Sequence, residues 1–222
     1  MKEKLESNRL IMSITGEQKT GKTHFALTSP GPIALFDLDI GTEGVIHKFA
    51  GDKDIFAKKY LFDTVAHAEQ EKMWDQFVKD YQAALSSPQI KTIVIDTMSD
   101  VWEFIRLARF GKLTQIMPLR YVEVNSELRK MIRDAFTANK SLILLHKVRE
   151  EYKNNNATGK MKLSGFSEAP YLVQLNLETF ISEDYGGNAI RFIDSRHNPD
   201  LRGLELPAAG LDFSQILEMV YQ

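Results

Sequence analysis

Eight consecutive residues constrain this chain more than any other feature: Gly16-Glu17-Gln18-Lys19-Thr20-Gly21-Lys22-Thr23, followed by His24. The pattern is GxxxxGK[ST]. It follows an apolar run at 10–15 and precedes a stretch that reads as helix from about Lys22. A strand that turns through such a loop into a helix aims successive backbone N–H groups inward, and the positive end of the helix adds to them. Glycines at 16 and 21 permit the curl. The product is a phosphate cradle, in which Lys22 would reach the outer phosphates and Thr23 would place its hydroxyl on Mg2+. Glu17, Gln18, Lys19, Thr20 and His24 would line the same bound nucleotide, with ATP the expected one.

The rest of the chain alternates apolar runs with helical patterns, which predicts an α/β fold around a mainly parallel sheet flanked by helices. Strands are expected at 10–15, 33–37, 92–96, 142–146, 178–182 and 190–193, rich in Ile, Leu, Val and Phe as strands covered on both faces should be. Helices are expected at 66–85, 101–108 and 122–138, the first and last with apolar residues on one face. Residues 110–118 read as a loop. A second, longer loop at 150–165, holding Asn154-Asn155-Asn156 and Gly159 among lysines, reads as mobile. With 43% hydrophobic residues and no internal repeat, residues 1–222 are expected to form one domain.

Composition excludes several chemistries. The chain has no cysteine, which removes disulfides, thiolate ligands and a cysteine nucleophile. Its five histidines lack ligand spacing, so a histidine metal site is not expected. No apolar run approaches the ~20 residues of a membrane span, and a cytoplasmic location follows by elimination. Net charge is only -2, but residues 129–162 hold nine Lys and Arg against three acids, a local +6.

A metal-bound triphosphate also needs a carboxylate at the end of a neighbouring buried strand, and Thr92-Ile-Val-Ile-Asp96 supplies it. Hydrolysis needs a further group to orient or deprotonate water. Asp39, just beyond the strand at 33–37, and Glu43, in the glycine-flanked turn Gly41-Thr-Glu-Gly44, both qualify, with Asp39 preferred.

In order, Gly16–Thr23, Ile33-Ala-Leu-Phe-Asp-Leu-Asp39, Thr92-Ile-Val-Ile-Asp-Thr-Met98 and Leu142-Ile-Leu-Leu-His-Lys-Val-Arg149 resemble the RecA/RadA superfamily of P-loop ATPases. The likeness is to its short, core-only phage branch, the single-strand-annealing recombination ATPases. That resemblance implies a RecA-like core with a C-terminal strand pair. It places a catalytic carboxylate at Asp39, where the family usually carries glutamate. It also implies a γ-phosphate sensor at His146-Lys147, and a DNA-contacting loop at 150–165 using Lys153, Lys160 and Lys162, with Tyr152 and Phe166 as candidate base-stacking residues. Arg109 and Lys112 flank the other candidate loop. Arg196 is the candidate finger toward a neighbouring subunit, with Arg191 and Arg202 behind it.

The expected partners are therefore single-stranded DNA, further copies of the chain in a ring or filament, and a single-strand-binding protein; for a phage-encoded chain the compartment would be the host cytoplasm. The resulting expectation is a Mg-ATP-dependent recombination protein that anneals or pairs single strands. A nucleotide-switched loading or protein-binding module with little turnover is the alternative. A small-molecule kinase ranks last, because residues 150–165 offer no arginine for a lid.

Overall fold

The computed structural model describes residues 9–112, 117–153 and 156–222. Four strands form the centre: β1 (Ile11–Gly16), β2 (Ile33–Asp37), β4 (Thr92–Asp96) and β5 (Ser141–Leu145). All five residues of β2, β4 and β5 are buried, which is why their sequences are near-continuous apolar runs. Around them lie β3 (Ile55–Lys59), β8 (Leu175–Ser182), β9 (Gly187–Ser195) and β10 (Glu205–Pro207), giving the sheet order β10-β9-β8-β1-β5-β4-β2-β3. From β8 through to β3 every pairing is parallel, while β8–β9 and β9–β10 are antiparallel, the expected C-terminal strand pair.

One sheet face packs against α3 (His67–Ser86), α4 (Met98–Phe110) and α5 (Tyr121–Thr137). Trp74, Phe77 and Tyr81 project from α3 onto Phe36, Tyr60 and Phe104, and the buried Tyr81 hydroxyl donates to the Met131 carbonyl at 2.8 Å. These aromatics belong to the core. The opposite face is covered by α1 (Lys22–Leu27) and α7 (Phe213–Tyr221). Two short helices, α2 (Glu43–Ile46) and α6 (Ala169–Leu172), complete the fold.

The parallel register places Ile14 beside Leu145, Leu145 beside Asp96, and Asp96 beside Asp37, while Gly16 pairs with Thr179. Carboxyl ends of five strands thus converge on one edge, where ligands bind in open α/β sheets.

Two expectations are corrected. The described residues of 150–165 do not form an irregular loop: β6 (Val148–Lys153) and β7 (Asn156–Leu163) make a separate antiparallel hairpin. Its strands are exposed or half-exposed along their length, so neither face demands an apolar period and the sequence shows none. Phe166, offered as a base-stacking residue, is 1% exposed and packs in the core. Of the expected loop at 110–118, Phe110 closes α4 and Pro118 opens a short 3-10 turn; residues 113–116 lie outside the described residues. Asn154 and Asn155 do so as well.

Candidate nucleotide site

A cleft of 1380 Å³ opens at the carboxyl edge, lined by all of Gly16 to Phe25 together with Asp39, Asp96 and Lys147. Space for a loop so close to the sheet depends on glycine. A Cβ at Gly16 (φ +149°) would lie 2.3 Å from the Thr179 carbonyl oxygen and 2.4 Å from its hydroxyl. The Thr20 and Thr179 hydroxyls meet at 2.6 Å, tying the loop to β8. Gly21 enters α1 with φ +95°. At its far end α1 is closed by Lys53, whose ammonium donates to the carbonyls of Leu27, Thr28 and Ser29 at 3.1, 3.1 and 2.8 Å.

Lys22 Nζ curls over the loop and donates to the carbonyls of Gly16 and Glu17 at 2.8 and 2.6 Å. Burial holds its pKa below the usual lysine value, with Asp96 and Asp39 acting in the opposite sense. The Thr23 hydroxyl donates to Asp96 Oδ2 at 2.7 Å. Asp96 is 4% exposed, and burial pushes its carboxyl up to about 6, partly countered by the Thr23 hydrogen bond. Thr23 and Asp96 therefore fit Mg2+, which takes hard oxygen ligands and keeps several waters. Among the described residues no group of three or more His, Asp or Glu could hold a metal, so such an ion would draw its other ligands from phosphate and water.

Asp39 is set in the cleft by its neighbour. Asp37 is buried and accepts from the Asp39 and Ile40 backbone N–H groups at 3.2 and 3.0 Å and from the Thr42 hydroxyl at 2.5 Å, fixing the turn after β2. The Asp39 carboxylate pairs with Lys147 Nζ at 2.7 Å. Lys147 also reaches Asp100, at 2.9 Å. Burial alone would lower the Lys147 pKa, but hydrogen bonds to Asp39 and Asp100 more than offset it and leave it raised.

The remaining sequence candidates fall elsewhere. Glu43 starts α2, is mostly exposed, bonds to Lys59 and does not line the cleft. His146 is fully buried with neither ring nitrogen hydrogen-bonded to any described residue, and burial lowers its pKa to about 3; it too is outside the cleft lining. Arg196 follows β9 at the amino edge of the sheet, five residues or roughly 17 Å of strand from the start of the loop. It donates there to the Tyr171 carbonyl. Arg191 is paired with Glu178 and Glu205, and Arg109 with Glu127. Lys153, Lys160 and Lys162 are exposed on the hairpin, as are Lys112 after α4 and Arg202 before β10.

Sequence reading missed Asp100, Thr179, Lys48 and Asn188. Lys48, Thr179 and Asn188 line the cleft, and Asn188 Nδ2 lies 3.2 Å from where a Cβ of Gly21 would be. Strand pairing across some 170 residues brings Asn188 there, and no local pattern announces it. Asp100 had a signal: Thr97 caps α4 by accepting from the Asp100 backbone N–H, and an acidic residue three places after a capping threonine is a recognisable helix start.

No curated protein sequence matches this chain. Two solved structures are similar. The RadB recombinase is 13% identical, with 88% of this chain and 84% of that one covered and a TM-score of 0.54. A KaiC-like protein from Pyrococcus horikoshii is 15% identical, with 84% and 79% covered and a TM-score of 0.49. At such identities the RadB likeness is one of fold, and it agrees with the RecA-like sheet order and strand pair described above. A family model described as an AAA domain matches residues 8–180. Phosphate loop, Asp96 strand, RecA-like sheet and family match converge, and the chain belongs to the AAA-domain family of P-loop proteins.

Proposed function

We propose that this chain binds and hydrolyses Mg-ATP and uses the γ-phosphate to control contact with single-stranded DNA during annealing or strand pairing. One observation carries the reading: Lys147 joins the cleft, through Asp39, to the first residue of a basic hairpin, Val148. Lys22 would hold the outer phosphates, and Asp39 would orient and deprotonate the attacking water. Mg2+, held by Thr23 and Asp96, would neutralise charge on the phosphate oxygens. Lys147, at the end of β5, would report the γ-phosphate to the hairpin.

On the hairpin, Arg149 pairs directly with Lys162, and Arg149, Lys153, Lys160 and Lys162 are exposed. Such a surface neutralises phosphates without reading sequence. Self-assembly into a ring or filament belongs to the same proposal, with Arg196 as the candidate finger toward a neighbouring copy's nucleotide. A nucleotide-switched protein-binding module is the second reading. Glu150 and Glu151 on β6, and the exposed Tyr152 and Met161, favour it.

The test is ATP hydrolysis with and without single-stranded DNA across a salt series, with Lys22→Ala as the blank. Stimulation that weakens with salt, and a salt slope reduced by about 2 in a Lys160→Ala/Lys162→Ala double variant, is the expected result. ATP binding without any DNA response would leave the module reading.

A further inference from the structure

Lys147 makes two ionic contacts of different character. Asp39 is half exposed, lines the cleft, and rides on the turn after β2. Asp100 lies behind, mostly covered, and is absent from the cleft lining. It is also fixed twice: its Oδ2 accepts from the Thr97 hydroxyl at 2.6 Å, and its backbone N–H donates to the same hydroxyl oxygen at 3.2 Å. Both Asp100 oxygens lie 2.9 Å from Lys147 Nζ. An ammonium has three donors, so Asp100 and Asp39 leave it little further capacity.

The Lys147 backbone is equally constrained. Its N–H donates to Ser99 Oγ at 3.0 Å, Ser99 Oγ donates to the Ser164 carbonyl at 2.7 Å, and the Ser164 N–H donates to the Lys147 carbonyl at 2.9 Å. Gly165 lies so close that an added Cβ would be 3.1 Å from Ser99 Cα. This closed ring pins both ends of the hairpin to the start of α4. Lys147 can therefore redirect its ammonium only by rotating its side chain about a fixed backbone, and Asp100 is the contact that does not move.

We propose that Asp100 is a positioning residue for ATP hydrolysis: it is the pivot on which the Lys147 ammonium turns from Asp39 to the γ-phosphate of a bound triphosphate. The Lys147–Asp39 pair then blocks the carboxylate, and a triphosphate, unlike a diphosphate, releases it by offering Lys147 a competing anion. Asp39 accepts a proton from water only after that exchange. This inference rests on the ATPase reading above and adds the order of events and the residue that sets it.

Two measurements test it. In steady-state hydrolysis, Asp100→Asn retains a helix cap but loses the charge that holds Lys147. It should lower kcat about tenfold with KM within twofold of wild type, and Asp100→Glu should recover part of the loss. Independently of turnover, the 15N signal of the Lys147 ammonium, assigned by its absence in Lys147→Arg, should move on adding a non-hydrolysable ATP analogue and not ADP. In Asp100→Asn the two nucleotides should no longer be distinguished. Wild-type kcat in Asp100→Asn, or an ammonium signal moved equally by both nucleotides, overturns the proposal. A wild-type chain with no hydrolysis above the Lys22→Ala blank would instead remove the ATPase reading, and the ammonium signal would still decide the pivot.

Discussion

Replacing Asp96 by Asn should make the protein more stable while removing its response to Mg-ATP. Burial raises the Asp96 carboxyl from 3.8 to about 6. A carboxyl whose pKa is higher in the native state contributes stability that is complete below the unfolded value of 3.8 and is lost as pH rises through the native value. At pH 7.5 the group is ionised in both states and the whole cost of the buried charge is present. A shift of about 2 units corresponds to about 3 kcal/mol at pH 7.5, falling to about 1.5 kcal/mol at pH 5, where the native carboxyl is largely protonated. Asparagine avoids that cost and still offers Thr23 an acceptor. For a chain of this size about 3 kcal/mol raises Tm by roughly 6–12 °C. Melting curves of wild type and Asp96→Asn at pH 7.5 and pH 5, each with and without Mg-ATP, make the comparison. The variant should melt higher at pH 7.5, lose about half its advantage at pH 5, and gain nothing from Mg-ATP. A variant that melts at or below wild type at pH 7.5, or whose advantage ignores pH, would refute the reasoning.

Three further outcomes follow from the same geometry. Gly16→Ala drives a Cβ to 2.3 Å from a strand carbonyl at a φ of +149°, so a loss of about 1–3 kcal/mol and of nucleotide binding is expected; a wild-type melting curve would contradict it. His146 is buried neutral with its pKa lowered to about 3, so its stabilisation is complete above about 6.5 and is lost as pH falls toward 3. Between pH 7 and pH 5, urea titration should find wild type losing about 2 kcal/mol more than His146→Leu. Glu43→Gln should leave hydrolysis within about twofold, because Glu43 lies outside the cleft, whereas Asp39→Asn should lower it by about 10²-fold or more. The reverse pattern would assign the base to Glu43.

The phosphate loop and the strands at 33–37 and 92–96 were legible because full burial on both sheet faces forces unbroken β-forming runs, and because few sequences other than a phosphate cradle place Gly-Lys-Thr between strand and helix. Edge and surface strands carry no such demand. The edge strand β3, Ile-Phe-Ala-Lys-Lys at 55–59, is mostly exposed and is not among the expected strands, and the β6–β7 hairpin is hidden by polar residues on both faces. Helix α7 had a signal that went unread: Asp212 and Gln215 form a reciprocal cap before Phe213, Ile216 and Val220. Within the site, the motif residues reach the cleft together because they are contiguous in the chain, while Asn188 arrives there through strand pairing that no local pattern announces. Asp39, preferred from the sequence, lines the cleft and meets Lys147, whereas Glu43 lies outside it and meets Lys59.

The six-residue length of α1 has a kinetic consequence. Such a segment would not persist as a helix alone, since nucleation is costly and chains below about 12 residues are marginal in water. Its turn is imposed by the core beneath Phe25, Ala26 and Leu27 and by the Lys53 ammonium capping its last carbonyls. An arriving nucleotide meets a cradle already shaped, with no ordering step to wait for. Association should then run at similar rates for diphosphate and triphosphate, and their difference in affinity should appear as residence time.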